Sequence, residues 1–599
     1  MSTSMRRQLG TAISLMRRGN LHGLGRRIAD RHRRSRVPFR PIEHAEWWAR
    51  HALLSDRERL ILGRRLVKVG DLIRVTVVVS VGRRDVADLP GLVGSLMDQV
   101  HVDWELVAYT DPSIPEASLR ELDCGDSRVR RISMTATSLR PGMLPNRLLN
   151  DATGDWLMFL HPEDRLHEAA LAAIALRAAA DSRFTLVYTD DDLLDASGLH
   201  QNPNFKPPWN PDLVLAQGLV DHTFAIARQT LGDLGPPFAS IRKLTMELAL
   251  ALAGSEVCHL PFPFCSRVRG PTRQSDQAEV QELSTRLRRW HPGTTIERAT
   301  DGSSLRIRWP VPDPAPRVSI LIPTRDHGRL LERCIDSLLS ITRYPDVELV
   351  LVDHDSCQRR ARRIIDRISE RPDSTVITHT GPFNYASMMN QAVEASTGDY
   401  LCLLNNDTEV IDPGWLTEMA GHLTRDEVGI VGALLLFGDR TIQHAGVHPG
   451  LGGLMGHGHK HRRHGDHGYH GRLTVAHEVA AVTGACLGIR RTTWDLLGGM
   501  DQDHLGVAYN DVDLCLRARS AGYRVLFTPH AVLLHHESAS RGPDEDPAHN
   551  DRLRGEIEVM QARWGSILED DPAYSPNLDL DGGGFLTADH PRWTPPWAI

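Results

Sequence analysis

Asn405 and Asp407 place two hard oxygen donors, a carboxamide carbonyl and a carboxylate, two residues apart. Such a pair can share a Mg²⁺ or Mn²⁺ whose other ligands are phosphate oxygens. The same residue types also form turns, because Asn and Asp side chains hydrogen-bond to nearby backbone. The element before them decides where they sit. Tyr400-Leu401-Cys402-Leu403-Leu404 is short and apolar throughout, as expected for a strand buried on both faces of a parallel sheet. Asn405, Asn406 and Asp407 then fall at the C-terminal end of that strand, where open α/β sheets bind ligands. On these residues alone a metal site and a plain polar loop both stay open.

The strands that must flank this one are legible. Residues 317–322 and 347–352 are apolar runs that end in Pro323-Thr324-Arg325-Asp326 and Asp353-His354-Asp355-Ser356, with a helical stretch over 330–339 between them. A similar rhythm runs through the first half. Residues 74–81, 104–109 and 154–160 read as buried strands, the last ending in His161-Pro162-Glu163-Asp164. A helix is expected over 168–180, and a further strand at 185–188 runs into Thr189-Asp190-Asp191-Asp192. Alternating strands and helices imply an α/β sheet in each half. Matched strand ends make the halves a loose repeat of about 240 residues. Between them, residues 309–316 carry four prolines in eight positions, which excludes a helix interior or a central strand and marks a linker.

Bulk properties narrow the class. The 599 residues suffice for several domains, and 41% hydrophobic with 24% charged residues is the balance of a folded, soluble protein. The net charge of −7 argues against nucleic acid as a partner of the whole molecule. No apolar run approaches the ~20 residues needed to span a bilayer. The N-terminus lacks the apolar core of a signal peptide, and eight scattered cysteines without zinc-finger spacing read as reduced residues of a cytoplasmic protein. Residues 1–40 hold eleven arginines against the single acid Asp30. Met5, Leu9, Ile13, Met16, Leu24 and Ile28 fall near helical spacing among them, a pattern that suits an anionic membrane surface or, alternatively, a solvated basic arm.

The second half resembles the inverting nucleotide-sugar glycosyltransferases of family 2, with the GT-A fold. It is most similar to the tandem-domain members of bacterial polysaccharide assembly, the rhamnosyl- and galactofuranosyltransferase type. The signatures run in order through residues 317–545: Ile322-Pro323-Thr324-Arg325, Val352-Asp353-His354-Asp355-Ser356, Pro382-Phe383-Asn384-Tyr385, Leu404-Asn405-Asn406-Asp407, Ile442-Gln443-His444-Ala445-Gly446, Val482-Thr483-Gly484-Ala485-Cys486, Gly498-Gly499-Met500-Asp501, Asn510-Asp511-Val512-Asp513-Leu514 and His535-His536. The resemblance implies that Asp407 binds a divalent metal, Mg²⁺ or Mn²⁺, with Asn405 where relatives have the first Asp of an Asp-X-Asp motif. Thr324 and Asp353 fall where the family contacts the nucleoside. His535 falls at a late metal-ligand position, with His536 next to it. Asp511 stands at the general base, with Asp513 a second acidic residue of the substrate side. A carboxylate in the first turn of a helix is held ionised by the helix dipole, which suits a proton acceptor, although Asp there is also a common cap.

The resemblance implies an α/β fold of two tandem GT-A domains behind a basic helical extension. The expected divisions are an extension over 1–72, a degenerate GT-A-like domain over 73–308, the linker 309–316, a catalytic domain over 317–545, and a C-terminal helix and tail over 546–599. In the first half, His161 and Glu163 replace the metal motif and Thr245 stands at the base position. The implied activity is transfer of a sugar from a nucleotide-diphosphate donor to a glycan or lipid-linked saccharide, on the cytoplasmic face of a membrane. A bifunctional polymerase with both domains active and a non-catalytic assembly scaffold are the alternatives. A sugar-nucleotide pyrophosphorylase fits less well, because no glycine-rich basic loop follows residues 317–322. Seven histidines lie within 456–477, read here as a polar, unanchored loop over the acceptor side rather than a transition-metal site.

Overall fold

The computed structural model describes residues 42–69, 73–134, 143–144, 147–235, 239–268, 277–536, 547–581 and 584–597. The basic segment 1–40 lies outside them. Two helices open the described chain, α1 (His44–His51) and α2 (Asp56–Val69). Two large sheets follow, each built from the apolar runs that the sequence announces. Runs rich in Val, Ile and Leu form strands that bury both faces, because helices cover each sheet on either side.

The first sheet contains β1 (Val75–Val81), β2 (Trp104–Thr110), β3 (Val129–Ser133), β4 (Trp156–Leu160), β5 (Asp164–Leu166), β6 (Leu186–Leu194), β7 (His200–Asn204), β8 (Phe224–Ala227) and β9 (Val257–Arg267). Their spatial order is β3-β2-β1-β4-β8-β6-β9-β5, with β7 paired to β6. The second sheet contains β10 (Val318–Thr324), β11 (Val347–Asp353), β12 (Ser374–Thr378), β13 (Tyr400–Leu404), β14 (Thr408–Val410), β15 (Val428–Leu436), β16 (Ile442–His444), β17 (Cys486–Arg490) and β18 (Arg524–His535). Its order is β12-β11-β10-β13-β17-β15-β18-β14, with β16 paired to β15. The eight strands along each path follow the same order, and the second sheet adds a two-residue strand, His477–Glu478, beside β18. The directions agree as well: β4 and β13 each run parallel to one neighbour and antiparallel to the other. Each sheet is therefore mixed rather than purely parallel. The reversal arises because β8 and β17 enter antiparallel to both strands between which they lie.

A buried polar knot repeats with the topology. In the first half Glu105 accepts hydrogen bonds from Thr76 Oγ1 at 2.7 Å and from the Thr153 amide and hydroxyl at 2.6 and 2.8 Å, and the Gly154 amide donates to Thr76 Oγ1. In the second half Glu348 accepts from Ser319 Oγ and from the amide and hydroxyl of Thr397, and the Gly398 amide donates to Ser319 Oγ at 2.8 Å. The glycine is required in both. A Cβ on Gly154 would lie 2.7 Å from the Thr76 amide nitrogen, and one on Gly398 would lie 2.7 Å from that of Ser319.

The halves are joined by charge as well as chain. Asp212 of the first half accepts from Arg425 of the second at 2.8 Å and also pairs with Arg524. Arg306, just before the linker, pairs with Glu418 at 3.0 Å. Trp309 of the linker is buried beneath the Arg425 guanidinium. The C-terminal helix α6 (Pro547–Glu569) packs on the second half, and the tail after it returns to the first, where Trp597 is buried against Phe262 and Phe264. No helix among the described residues is long and apolar enough to cross a membrane.

Candidate active site

The expected residues of the second half converge at the C-terminal ends of β10, β11 and β13. Thr324 and Asp353 end adjacent strands and lie directly opposite each other in register. The Asn406 amide donates to Thr324 Oγ1 at 3.0 Å, which fixes the turn after β13 against β10. Asp353 Oδ1 accepts from the Ser356 amide at 3.1 Å, so the carboxylate faces the loop that begins at its own strand end.

Asp407 is buried beside the end of β18. His535 Nε2 lies 3.1 Å from Asp407 Oδ1, and the His536 amide donates to the Asp407 carbonyl at 2.9 Å. His535 Nδ1 lies 2.7 Å from Gln443 Oε1, which turns Nε2 toward the Asp407 carboxylate. A protonated ring pairs with that carboxylate directly, and a neutral ring offers its Nε2 beside the carboxylate as a second donor to one cation. At 3.1 Å apart, the two side chains are close enough that both could reach one divalent ion. Asp407 and His535 fit a divalent metal, and the Gln443 contact fixes the orientation of the histidine ring. Among the described residues no group of three or more His, Cys, Asp or Glu that could hold a metal ion is found. The strand also separates the two histidines. His536 Nε2 lies 2.9 Å from Glu409 Oε2, away from Asp407, so His535 is the one that faces the site.

Asp511 opens helix α5 (Asn510–Ser520). Its Oδ2 accepts from the Gly484 amide at 2.7 Å, and the neighbouring Ala485 carbonyl accepts from the Asn405 amide at 3.0 Å. Asp511 is thus two hydrogen bonds from the metal-motif turn. A side chain at Gly484 would be tight: a Cβ would lie 3.2 Å from Tyr385 Oη and 3.3 Å from Asp511 Cβ, so these neighbours would have to give by a few tenths of an ångström. The approach to the helix is held from two sides. Glu556 of α6 accepts from the Val507 amide at 2.8 Å, and Asn384 Nδ2 donates to the Gln502 carbonyl at 2.8 Å.

Asp513 is not brought to this site. It is fully buried and its carboxylate takes Arg517 at 2.7 Å, Arg563 at 2.7 Å and the Trp564 indole at 3.0 Å. Asn405 sits at the turn, where its backbone carbonyl, and not its side-chain carboxamide, accepts from the Thr408 hydroxyl at 2.8 Å. Gln443, Gly484 and Glu556 had no role in the sequence reading. Gln443 and Gly484 lie inside motifs that were recognisable, yet nothing local says which motif residue touches which. Glu556 belongs to a helix with no motif.

The corresponding places in the first half are filled differently. Register puts Glu163 at the position of Asp407 and Arg267 at that of His535, since Arg267 pairs with Asp164 as His535 pairs with Thr408. Arg267 donates to Asp191 Oδ1 at 2.8 Å. Asp191 in turn takes Lys206, a fully buried lysine, at 2.8 Å. Helix Ile241–Ala251 matches α5 through Glu247, which takes Arg286 and the Trp290 indole as Asp513 takes Arg563 and Trp564. Thr245 then stands at the position of Asp511, and its hydroxyl donates to Asp221 at 2.5 Å.

The histidine-rich loop is pinned, contrary to the expectation of an unanchored segment. Tyr469 Oη accepts from the Phe205 amide at 2.9 Å and donates to the Pro203 carbonyl at 3.0 Å. Thr474 Oγ1 donates to Asp301 at 3.0 Å, and the His459 ring stacks on Phe585 of the tail at 3.9 Å. These partners come from the other half and the C-terminus, so local sequence could not announce them.

Three comparisons with known proteins bear on the class of the chain. The family described as Glycosyl transferase family 2 matches residues 319–497. An O-antigen biosynthesis protein, RfbC, from Myxococcus xanthus is 34% identical over 542 residues, covering 86% of this chain and 41% of the relative. A protein of Sinorhizobium fredii named y4gI is 35% identical over 567 residues, covering 91% of this chain and 61% of the relative. The chain thus spans less than two thirds of the length of either. Among solved structures, a mannosyltransferase of Pyrobaculum calidifontis in complex with GDP-Man and Mn²⁺ aligns with a TM-score of 0.30 at 18% identity, over 44% of this chain and 79% of that one. Residues 319–497 of this chain carry the domain of the family described as Glycosyl transferase family 2.

Proposed function

We propose that the second half transfers one sugar, with inversion, from a nucleotide-diphosphate donor to a hydroxyl of a growing cell-surface glycan or lipid-linked saccharide. The observation that carries this reading is the meeting of the Asp407–His535 pair, 3.1 Å apart, with Asp511 through the Asn405–Ala485 and Gly484–Asp511 hydrogen bonds. Asp407 and His535 would hold Mg²⁺ or Mn²⁺, which when bound supplies Lewis-acid stabilisation to the departing diphosphate. Thr324 and Asp353 bind the nucleoside at the far end of the same strand edge. Asp511 takes the proton of the acceptor hydroxyl as the new C–O bond forms and the bond from the anomeric carbon to the diphosphate breaks. The Gly484 amide holds the carboxylate in place for that transfer. The polysaccharide class of acceptor is supported by the relative from Myxococcus xanthus, which is named for O-antigen biosynthesis.

The first half serves as scaffold in this reading. A threonine cannot act as base at neutral pH, and Arg267 places a fixed cation where the second half has a metal-facing histidine. The test is turnover of a nucleotide-sugar panel by the purified chain with a lipid-linked or oligosaccharide acceptor. Asp511→Asn is expected to lower kcat by about 10³-fold while donor binding persists. Retention of transfer by that variant would remove Asp511 from the mechanism.

A further inference from the structure

Helix α2 carries a face that the protein itself does not use. Leu62 and Leu66 are buried in the core of the first half, and they define the inner side of the helix. At about 100° per residue, Leu60, Val67, Arg57, Arg64 and Lys68 fall on one arc of about 100° directly opposite them. Leu60 is 54% exposed and Val67 is 78% exposed. Leu53, in the turn before the helix, is 70% exposed. Arg57, Arg64 and Lys68 are exposed too, and none of them forms a hydrogen bond or ion pair with another described residue. Apolar residues line one edge of the arc and unpaired cations the other.

The helix is fixed, so this face is a defined surface. Ser55 and Glu58 cap its start reciprocally, with the Ser55 amide donating to Glu58 Oε2 at 2.7 Å. Arg59 reaches Glu168 at 2.6 Å, and Arg65 Nη1 donates to the Pro596 carbonyl of the tail at 2.7 Å. The acids of the helix are engaged: Asp56 with Arg59, and Glu58 with Ser55. Along the arc itself the outward side chains are apolar or positive, and the exposed Asp56 at its edge pairs with Arg59. Residues 1–40, which precede it in the chain, carry eleven arginines against one acid.

We infer that the outer face of α2, with Leu53, docks on an anionic membrane surface, the apolar edge entering the headgroup boundary and the cations meeting lipid phosphates. One feature favours a bilayer over a protein partner: unpaired arginines and a lysine beside large exposed apolar side chains match an interface whose two layers are an acyl boundary and an anionic headgroup plane. The inference does not depend on the glycosyl-transfer reading, because it concerns binding and not turnover.

The test is flotation of the full chain with vesicles of pure phosphatidylcholine or of phosphatidylcholine with phosphatidylglycerol. Binding is expected to the anionic vesicles alone and to weaken with added salt. Leu60→Ser with Val67→Ser, and separately Arg57→Gln with Arg64→Gln and Lys68→Gln, are each expected to lower partitioning by about ten-fold or more. Leu496→Ser, at a residue equally exposed on the second half, is the control and should change nothing. All these positions face solvent, so an unchanged circular dichroism spectrum is expected for every variant. Unaltered partitioning of both multiple variants would overturn the inference, as would equal binding to neutral vesicles. A fall in self-association of the variants without lipid would assign the face to a second copy instead, and would overturn it as well.

Discussion

At the scale of single residues, neighbouring groups in one motif have opposite duties. His535 and His536 are adjacent, but only His535 faces Asp407, while His536 pairs with Glu409. His535→Ala is therefore expected to weaken metal-dependent nucleotide binding by about 10- to 100-fold, and His536→Ala to leave it within about two-fold, both read by titration calorimetry. Asp511 and Asp513 divide in the same manner. Asp513→Ala strands Arg517 and Arg563 and is expected to destabilise the second half by roughly 3 kcal/mol in urea unfolding, without touching the reacting atoms. The sequence made Asp407, Thr324, Asp353 and Asp511 visible because each sits in a motif at a strand end or helix start. It placed Asp513 second to Asp511, on the substrate side, because spacing does not say which acid meets the arginine from α6. The choice between the histidines waited for the strand's alternation to be anchored by the pairing of β18 with β14.

At the scale of elements, the repeated knot around Glu105 and Glu348 locks the first two strands of each sheet to the segment entering the fourth. Burial alone would raise the Glu348 carboxyl, but its hydrogen bonds from Ser319, Thr397 and Gly398 outweigh that and hold it below the usual range. Glu348→Ala leaves these donors unmet and is expected to cost the second half about 3 kcal/mol, seen as an earlier unfolding transition while that of the first half stays. The strand positions of both halves were legible from apolar runs. The knot was not, because a threonine, a glutamate and a glycine scattered over three segments carry no local signal. The histidine loop shows the same limit. Tyr469→Phe removes a hydroxyl with two backbone partners in the first half. It is expected to increase proteolytic cleavage within 456–477 several-fold, whereas wild-type cleavage rates would show that the loop is held by other contacts.

At the scale of the whole molecule, the halves share one topology and differ in chemistry. The interface between them is ionic: burial would raise the Asp212 carboxyl, yet Arg425 and Arg524 hold it well below the carboxylate range. Two histidines near this seam are buried neutral, His477 lowered to about 3 and His530 to about 4, in each case chiefly by desolvation. Their folded values lie below the unfolded value of about 6.5, so the stability they carry is complete above that pH and is lost as pH falls toward 4. For His530 this amounts to on the order of 3 kcal/mol. The thermal midpoint is therefore expected to fall between pH 7 and pH 5, before the carboxylates of the seam are protonated. A flat profile over that window would mean that these histidines are solvated. The tandem plan itself was foreshadowed by matched strand ends, but the identity of the two sheet orders appears only when the strands are paired.

The central claim is that one of two matching folds holds the donor and the other does not. Calorimetry of the full chain against UDP, GDP and TDP with Mn²⁺ or Mg²⁺, with Asp407→Ala and Glu163→Ala side by side, tests it most directly. The account predicts one binding site for one nucleotide, dependent on the metal, lost in Asp407→Ala and intact in Glu163→Ala. Binding that survives Asp407→Ala and disappears in Glu163→Ala, or a second site of equal metal dependence, would contradict it.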